Sequence, residues 1–107
     1  WRQAARELLT AHPELTALFC HNDLVAGGVF LARAELGRHV PGDLAVVGYV
    51  DILLSDRVTP PLPTCRVRRY ELGEWALKVL LDQIGNSPGR CEQVVLQSEL
   101  IVRASAP

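Results

Sequence analysis

Residues 15–49 restrict the fold of this chain more than any other stretch, because two short apolar runs there flank a longer one. Residues 15–20 (LTALFC) read as a buried strand. His21, Asn22 and Asp23 interrupt the run, and either Asn22 or Asp23 can cap the start of a helix. Residues 24–36 (LVAGGVFLARAEL) are apolar almost all round, which suits a helix buried against a sheet and its neighbours. Gly27 and Gly28 are poor helix formers, so close packing of helix on sheet is their expected reason. Gly37 is placed to end that helix in the left-handed conformation. Pro41 and Gly42 make a turn, and the valine-rich residues 43–49 (DLAVVGY) make a second strand. Strand, helix and strand in this order form a βαβ unit with a right-handed crossover.

The flanks extend the pattern. Trp1, Ala4, Ala5, Leu8 and Leu9 trace the apolar stripe of an amphipathic helix that His12 and Pro13 end. Residues 50–63 read as irregular, and the prolines at 60, 61 and 63 exclude a helix there. Residues 64–67 form a brief extended segment. Leu72, Trp75, Ala76, Val79, Leu80 and Ile84 make a second amphipathic stripe over residues 70–85, with the Trp75 stripe read as core packing. Residues 86–89 form a turn, and residues 92–103 read as one or two strands.

Composition narrows the functions open to such a chain. Its 107 residues suggest one domain or a piece of one. A net charge of −1 gives no electrostatic case for nucleic acid, a membrane surface or an acidic ligand. No apolar run approaches the roughly 18 residues that span a bilayer. Cys20, Cys65 and Cys91 are odd in number and far apart, without zinc-like spacing, and read as reduced cytoplasmic thiols. Cys20 should behave as a small core residue.

In an open α/β sheet, ligands bind beyond the carboxyl ends of the strands. Two such ends are expected, one at Cys20, His21, Asn22 and Asp23, the other at Tyr49, Val50 and Asp51. If the strands are neighbours, both segments line one crevice, and the candidate ligand-binding residues are His21, Asn22, Asp23, Tyr49 and Asp51. The amide of Asn22 can donate and accept at once, as sugar hydroxyls require, although Asn22 and Asp23 could also serve as caps alone. His21 and Asp23 lack a further His or Cys at metal-ligand spacing. Ser55 and Asp56 have no companion histidine in a nucleophile motif. Gly27-Gly28 is not a dinucleotide fingerprint. Arg66, Arg68 and Arg69 lack interleaved aromatics and read as a solvated face. No catalytic residue, metal or cofactor is therefore expected.

Taken in order, these motifs resemble the LacI/GalR family of bacterial transcription regulators. The resemblance rests on Asn22 and Asp23 after a strand, Ala26 and Gly28 in the helix, and Gly37, Val40, Pro41 and Asp43. It continues with Val46, Val47, Gly48, Tyr49 and Asp51. TPPLPTCR over residues 59–66 is similar to the family's Pro-Pro-Leu-Thr-Thr-Val/Ile-Arg/Lys. The helix over residues 70–84 is similar to one with Leu-Gly-x-x-Ala, and residues 94–105 resemble its closing strands. The resemblance implies an α/β fold, namely an incomplete second lobe of the three-layer αβα, parallel-sheet, periplasmic-binding-protein-like (type I) architecture. Residues 1–63 and 92–107 would belong to the second lobe, and residues 64–91 to a crossing segment and helix associated with the first.

It further implies a small-molecule effector, a sugar above all, bound between two lobes of a homodimer and altering its grip on operator DNA. DNA would be reached only through a helix-turn-helix outside this chain. The protein would not be an enzyme and would have no membrane partner. Asn22 matches a position that contacts effector, while Asp23 matches its neighbour at the helix start, a structural position. Two departures stand out. Val50 occupies a position where the family commonly has an effector-binding Asp, and Asp51 matches the Asp that follows. Pro63 replaces a Thr and removes an N–H. Without the missing sequence, exposed edges and apolar faces imply self-association or dependence on that sequence. A transporter's sugar-binding protein, a regulator that has lost its effector, and an α/β enzyme remain alternatives.

Overall fold

A computed structural model describes residues 1–85 and 93–107. They divide into two compact units, residues 1–66 with 99–107, and residues 67–98.

The first unit is built on a four-stranded sheet in the order β1 (Ala17–Phe19), β2 (Ala45–Val50), β3 (Thr64–Arg66) and β4 (Glu99–Ile101). The first three strands are parallel and β4 runs antiparallel to β3. Helix α2 (Asp23–Glu35) connects β1 to β2, so the expected βαβ unit is present. Asn22 caps α2, accepting the Val25 N–H at 2.9 Å, and Gly37 follows its end at φ +67. Arg38 closes the α2–β2 loop by donating to the carbonyls of Leu15 and Asp43.

The core follows from the alternation of β2. Val46 and Gly48 are buried, while Ala45, Val47 and Tyr49 on the other face are half-buried. Val46 belongs to one core cluster with Leu44 and Leu62, with Ala26, Val29, Phe30 and Ala32 of α2, and with Ala5 and Leu9 of helix α1 (Arg2–Ala11). The chain end completes the edge of β2. Ser105 donates its hydroxyl to the Val46 carbonyl at 2.9 Å, while its own carbonyl accepts the Val46 N–H at 3.0 Å.

Several expectations are corrected here. The run at residues 15–20 is not a buried strand: β1 lies at the edge of the sheet, and Phe19 is 69% exposed. Gly28 is small because of α1, not the sheet, since a Cβ there would lie 2.7 Å from that of Trp1. Gly27 instead faces Leu54, 3.1 Å from a Cβ it lacks. Leu54 belongs to a short helix, α3 (Leu54–Arg57), in the stretch read as helix-free. The prolines begin three residues beyond α3, so they limit its length without preventing it.

In the second unit, helix α4 (Arg69–Gly85) forms where the second stripe was expected but buries none of its described residues. Trp75 and Val79 are half-buried and line a shallow apolar hollow with Leu72, Ala76, Val94 and Leu96. The reading of the Trp75 stripe as core packing is therefore not met within this unit. The turn at residues 86–89 lies outside the described residues. Of the strands read over residues 92–103, β4 is the one present among the described residues.

Candidate functional site

Because β1, β2 and β3 are parallel, their carboxyl ends share one edge of the sheet. The residues that follow β1 and β2 meet there. Asn22 has an extended backbone (φ −156, ψ 173) and spends its side-chain oxygen on the Val25 N–H. Among the described residues its side-chain nitrogen makes no hydrogen bond. That nitrogen stands at the amino end of α2, where unsatisfied N–H groups and a partial positive charge gather.

Asp23 lies beneath and is wholly buried. One carboxylate oxygen accepts the Thr64 hydroxyl at 2.6 Å, and the other accepts the Ile52 N–H at 2.9 Å. A Cβ on residue 48 would come within 2.1 Å of the first oxygen, so glycine there is a condition for the carboxylate's position. A buried carboxylate is tolerated only with such partners, and α2 adds its own dipole. Asp23 thus ties α2, β2, β3 and the loop after β2 into one piece.

Asp51 is tied in by the same hydroxyl: its N–H donates to Thr64 Oγ1 at 3.3 Å. Its carboxylate accepts Arg66 Nε at 2.6 Å and an Arg103 guanidinium nitrogen at 3.0 Å. That Arg103 nitrogen also reaches Asp56 at 2.8 Å, and the other donates to the Leu62 carbonyl at 2.8 Å. Burial raises the Asp51 carboxyl, but Arg66 and Arg103 outweigh it and hold it below the ordinary carboxylate value. Side-chain exposure of 10% at Asp51 and 12% at Arg103 makes this a largely desolvated pair. Directly before it, Val50 sits at φ 103 and Asp51 itself at φ 60. Positive φ is a genuine outlier for a β-branched residue.

The five candidate residues therefore separate. Asn22, Asp23 and Asp51 are brought together, the two aspartates through Thr64. His21 is exposed and makes no hydrogen bond among the described residues. Tyr49 follows Gly48 on the alternating strand and so lies on the face away from Asp23. Thr64, Ile52 and Arg103 were not singled out from sequence, and no local signal marks contacts spanning 41, 29 and 52 residues. Arg66, read as part of a solvated face, is half-exposed but engaged with Asp51. Cys20 is buried as expected, and burial, reinforced by the Asp23 charge, pushes its thiol up to about 11. Among the described residues, no three His, Cys, Asp or Glu side chains gather to hold a metal, and no helix is long and apolar enough to cross a membrane.

Comparison with known proteins bears on the family and the fold. The model of the periplasmic binding protein-like domain family matches residues 1–106. The HTH-type transcriptional repressor PurR of Mannheimia succiniciproducens is 35% identical over 103 residues, covering 96% of this chain and 31% of the repressor. The transcriptional regulator CelR–cellobiose complex is 31% identical with a TM-score of 0.93, over 98% of this chain and 32% of that one. A LacI family transcriptional regulator from Arthrobacter sp. FB24, in complex with lactose, is 33% identical with a TM-score of 0.84. That match covers 99% of this chain and 41% of the regulator. The chain thus spans about a third of the length of the curated relatives it matches. With its βαβ edge, its buried Asp23 hub and a family match over nearly its whole length, the chain belongs to the periplasmic binding protein-like domain family.

Proposed function

We propose that this chain is the effector-binding portion of a LacI-type transcription regulator, and that its effector is a small hydroxylated molecule, a sugar in the first instance. The observation that carries this is Asn22. It stands at the carboxyl edge of the sheet, on a base fixed by Asp23 and Thr64, with an unspent amide donor at a helix amino end. Such a donor suits a hydroxyl oxygen and not a metal ion. The sugar complexes of the two related regulators support the same class. On this reading the protein is not an enzyme, needs no cofactor, acts in the cytoplasm, and contacts operator DNA through a part of the longer protein outside this chain. His21, Asn22 and Val50 form the rim that meets the effector. Asp23 and Asp51 hold that rim without touching the effector themselves.

The same reading includes a homodimer. Leu24 and Leu31 stand seven residues apart on α2, 57% and 60% exposed, and α3 packs on α2 beside a 72% exposed Leu53. These side chains offer an apolar strip for a second copy.

The test is calorimetric titration of the protein that carries this chain against a panel of sugars and nucleosides. Asn22→Asp keeps the capping oxygen and removes the amide donor. Binding that Asn22→Asp abolishes at unchanged melting temperature supports the reading. A well-folded protein that binds no member of the panel refutes it and points to a regulator without an effector.

A further inference from the structure

Two successive residues at the carboxyl edge carry positive φ, Val50 at 103 and Asp51 at 60. Neither is glycine, and such backbone persists only where its surroundings over-determine it. The restraint acts on Asp51. Its N–H donates to Thr64 at 3.3 Å, and its carboxylate accepts Arg103 at 3.0 Å and Arg66 at 2.6 Å. The two arginines differ in freedom. Arg103 is 12% exposed and also reaches Asp56 and the Leu62 carbonyl, so its position is set from three sides. Arg66 is 50% exposed, and a second carboxylate, that of Glu99, lies 3.9 Å from its Nη1. That separation is the outer limit of an ion pair, so a small shift makes or breaks it.

Strand register explains the arrangement. Arg66 ends β3, opposite Val50 across the parallel β2 and opposite Glu99 across the antiparallel β4. Its guanidinium therefore serves both the strained edge and the first residue of β4. The chain leaves the sheet directly after Arg66 and rejoins it at Glu99, and residues 67–98 between them form the second compact unit. A slide or twist of β4 on β3 changes the Arg66–Glu99 distance, and with it the hold of Arg66 on Asp51.

We propose that Arg66 is a positioning residue for the effector edge, shared between Asp51 and Glu99, so that the placement of β4 against β3 tunes effector affinity. With Arg66 on Asp51, the positive-φ pair is held and the edge beside Asn22 stays preorganised. A turn of Arg66 toward Glu99 loosens Asp51 and, with it, that pair. This rests on the effector-binding reading above. Glu99 is exposed and lies outside the core, so its route to the edge is Arg66.

The experiment uses the protein that carries this chain. Thermal shift against aldopentoses, aldohexoses, disaccharides and nucleosides selects a compound that binds. Calorimetry then gives its affinity for the wild type, Glu99→Gln, Arg66→Gln and the double variant. Glu99→Gln keeps the side chain's size and removes the charge that competes for Arg66. It should bind about two- to fivefold more tightly, the range that an exposed ion pair supplies. Its melting temperature should stay within about 4 °C of the wild type. Arg66→Gln should bind more weakly, which a purely structural role would also produce. The double variant separates the two: once Arg66 is replaced, Glu99→Gln should change affinity no further. The proposal is overturned if Glu99→Gln binds no more tightly than the wild type, if its gain persists beside Arg66→Gln, or if Arg66→Gln binds as the wild type does. Should no compound bind the folded wild type, the effector-binding reading falls and takes this one with it; the other outcomes refute the role of Arg66 alone.

Discussion

Thr64→Val is the substitution that most directly tests how the site is held together. The hydroxyl of Thr64 gives its proton to a buried carboxylate oxygen of Asp23 at 2.6 Å and accepts the Asp51 N–H at 3.3 Å. Valine matches threonine in shape, so packing is kept and the two hydrogen bonds alone are lost. A hydrogen bond to a charged group contributes about 1.5–3 kcal/mol. The longer bond from Asp51 adds about 0.5–1 kcal/mol, at the low end for a neutral pair. Asp23 keeps the Ile52 N–H and the amino end of α2, so its charge is not stranded. The expected loss is therefore about 3 kcal/mol, a large share of the roughly 5–15 kcal/mol that stabilises a domain. For a chain of this size it corresponds to a fall in Tm of about 12–24 °C. Urea titration followed by circular dichroism measures it, with an unchanged m value showing that stability moved and not the denatured state. Thr64→Ser keeps the hydroxyl and deletes one buried methyl, which costs about 1 kcal/mol. If the valine variant proves as stable as the serine variant, the hydroxyl does not hold the hub and the account of Asp23 is wrong.

Two further outcomes follow from the ionisable groups. Asp51 has its carboxyl held below the ordinary value by Arg66 and Arg103 against the opposing pull of burial. A lowered folded-state value adds stability above the unfolded value near pH 4, lost as pH falls through the folded one. Asp51→Asn should therefore lower stability at pH 7 and converge on the wild type as pH falls through the lowered folded-state value. A gap between the two that stays constant on acidification would contradict the ion pair. Cys20, pushed up to about 11 by burial and by Asp23, should resist iodoacetamide at pH 8 until the protein unfolds, as peptide mass spectrometry would show. Rapid alkylation in the native state would mean that the carboxyl end of β1 opens readily.

What could be read from the sequence was local. The cap at Asn22, the left-handed Gly37 and the βαβ order each depend on neighbours in the chain, and the structure has them as expected. Errors arose where a residue's reason lay in another element. Gly27 and Gly28 signal close approach by their type, but whether helix or sheet approaches depends on where α1 and α3 fall. The run at residues 15–20 has a strand's composition, yet burial of an edge strand depends on what lies beside it, which composition does not record. Helix α3 was missed because proline was read as excluding the whole stretch, whereas it acts on its own turn and the residue before it. Arg66 and Arg103 show the same limit. An arginine's destination across the sheet leaves no local trace, and a cluster of three basic residues looks like a surface whichever one turns inward.

The resemblance stated from sequence separates Asn22, matched to an effector contact, from Asp23 and Asp51, matched to structural positions, and the geometry separates them by what each side chain has left to give. Asp23 has both oxygens engaged and no exposure. Asp51 divides its carboxylate between two arginines. Neither can turn to a ligand without releasing partners from β3, the chain end or the loop after β2. They are therefore the part of the edge that cannot vary without loss of the fold. His21 and Val50 have no side-chain hydrogen bond among the described residues, and Asn22 commits its oxygen alone, to the cap of α2. The amide nitrogen of Asn22 is uncommitted, His21 is exposed, and Val50 lies outside the core. On the function proposed above, specificity can change at these positions while the base stays as it is. This is how a rigid scaffold can carry different ligands in different relatives. It also places the informative substitutions on the rim: at Asp23 or Asp51 a loss of binding would not be separable from a loss of structure, whereas at Asn22 the two can be measured apart.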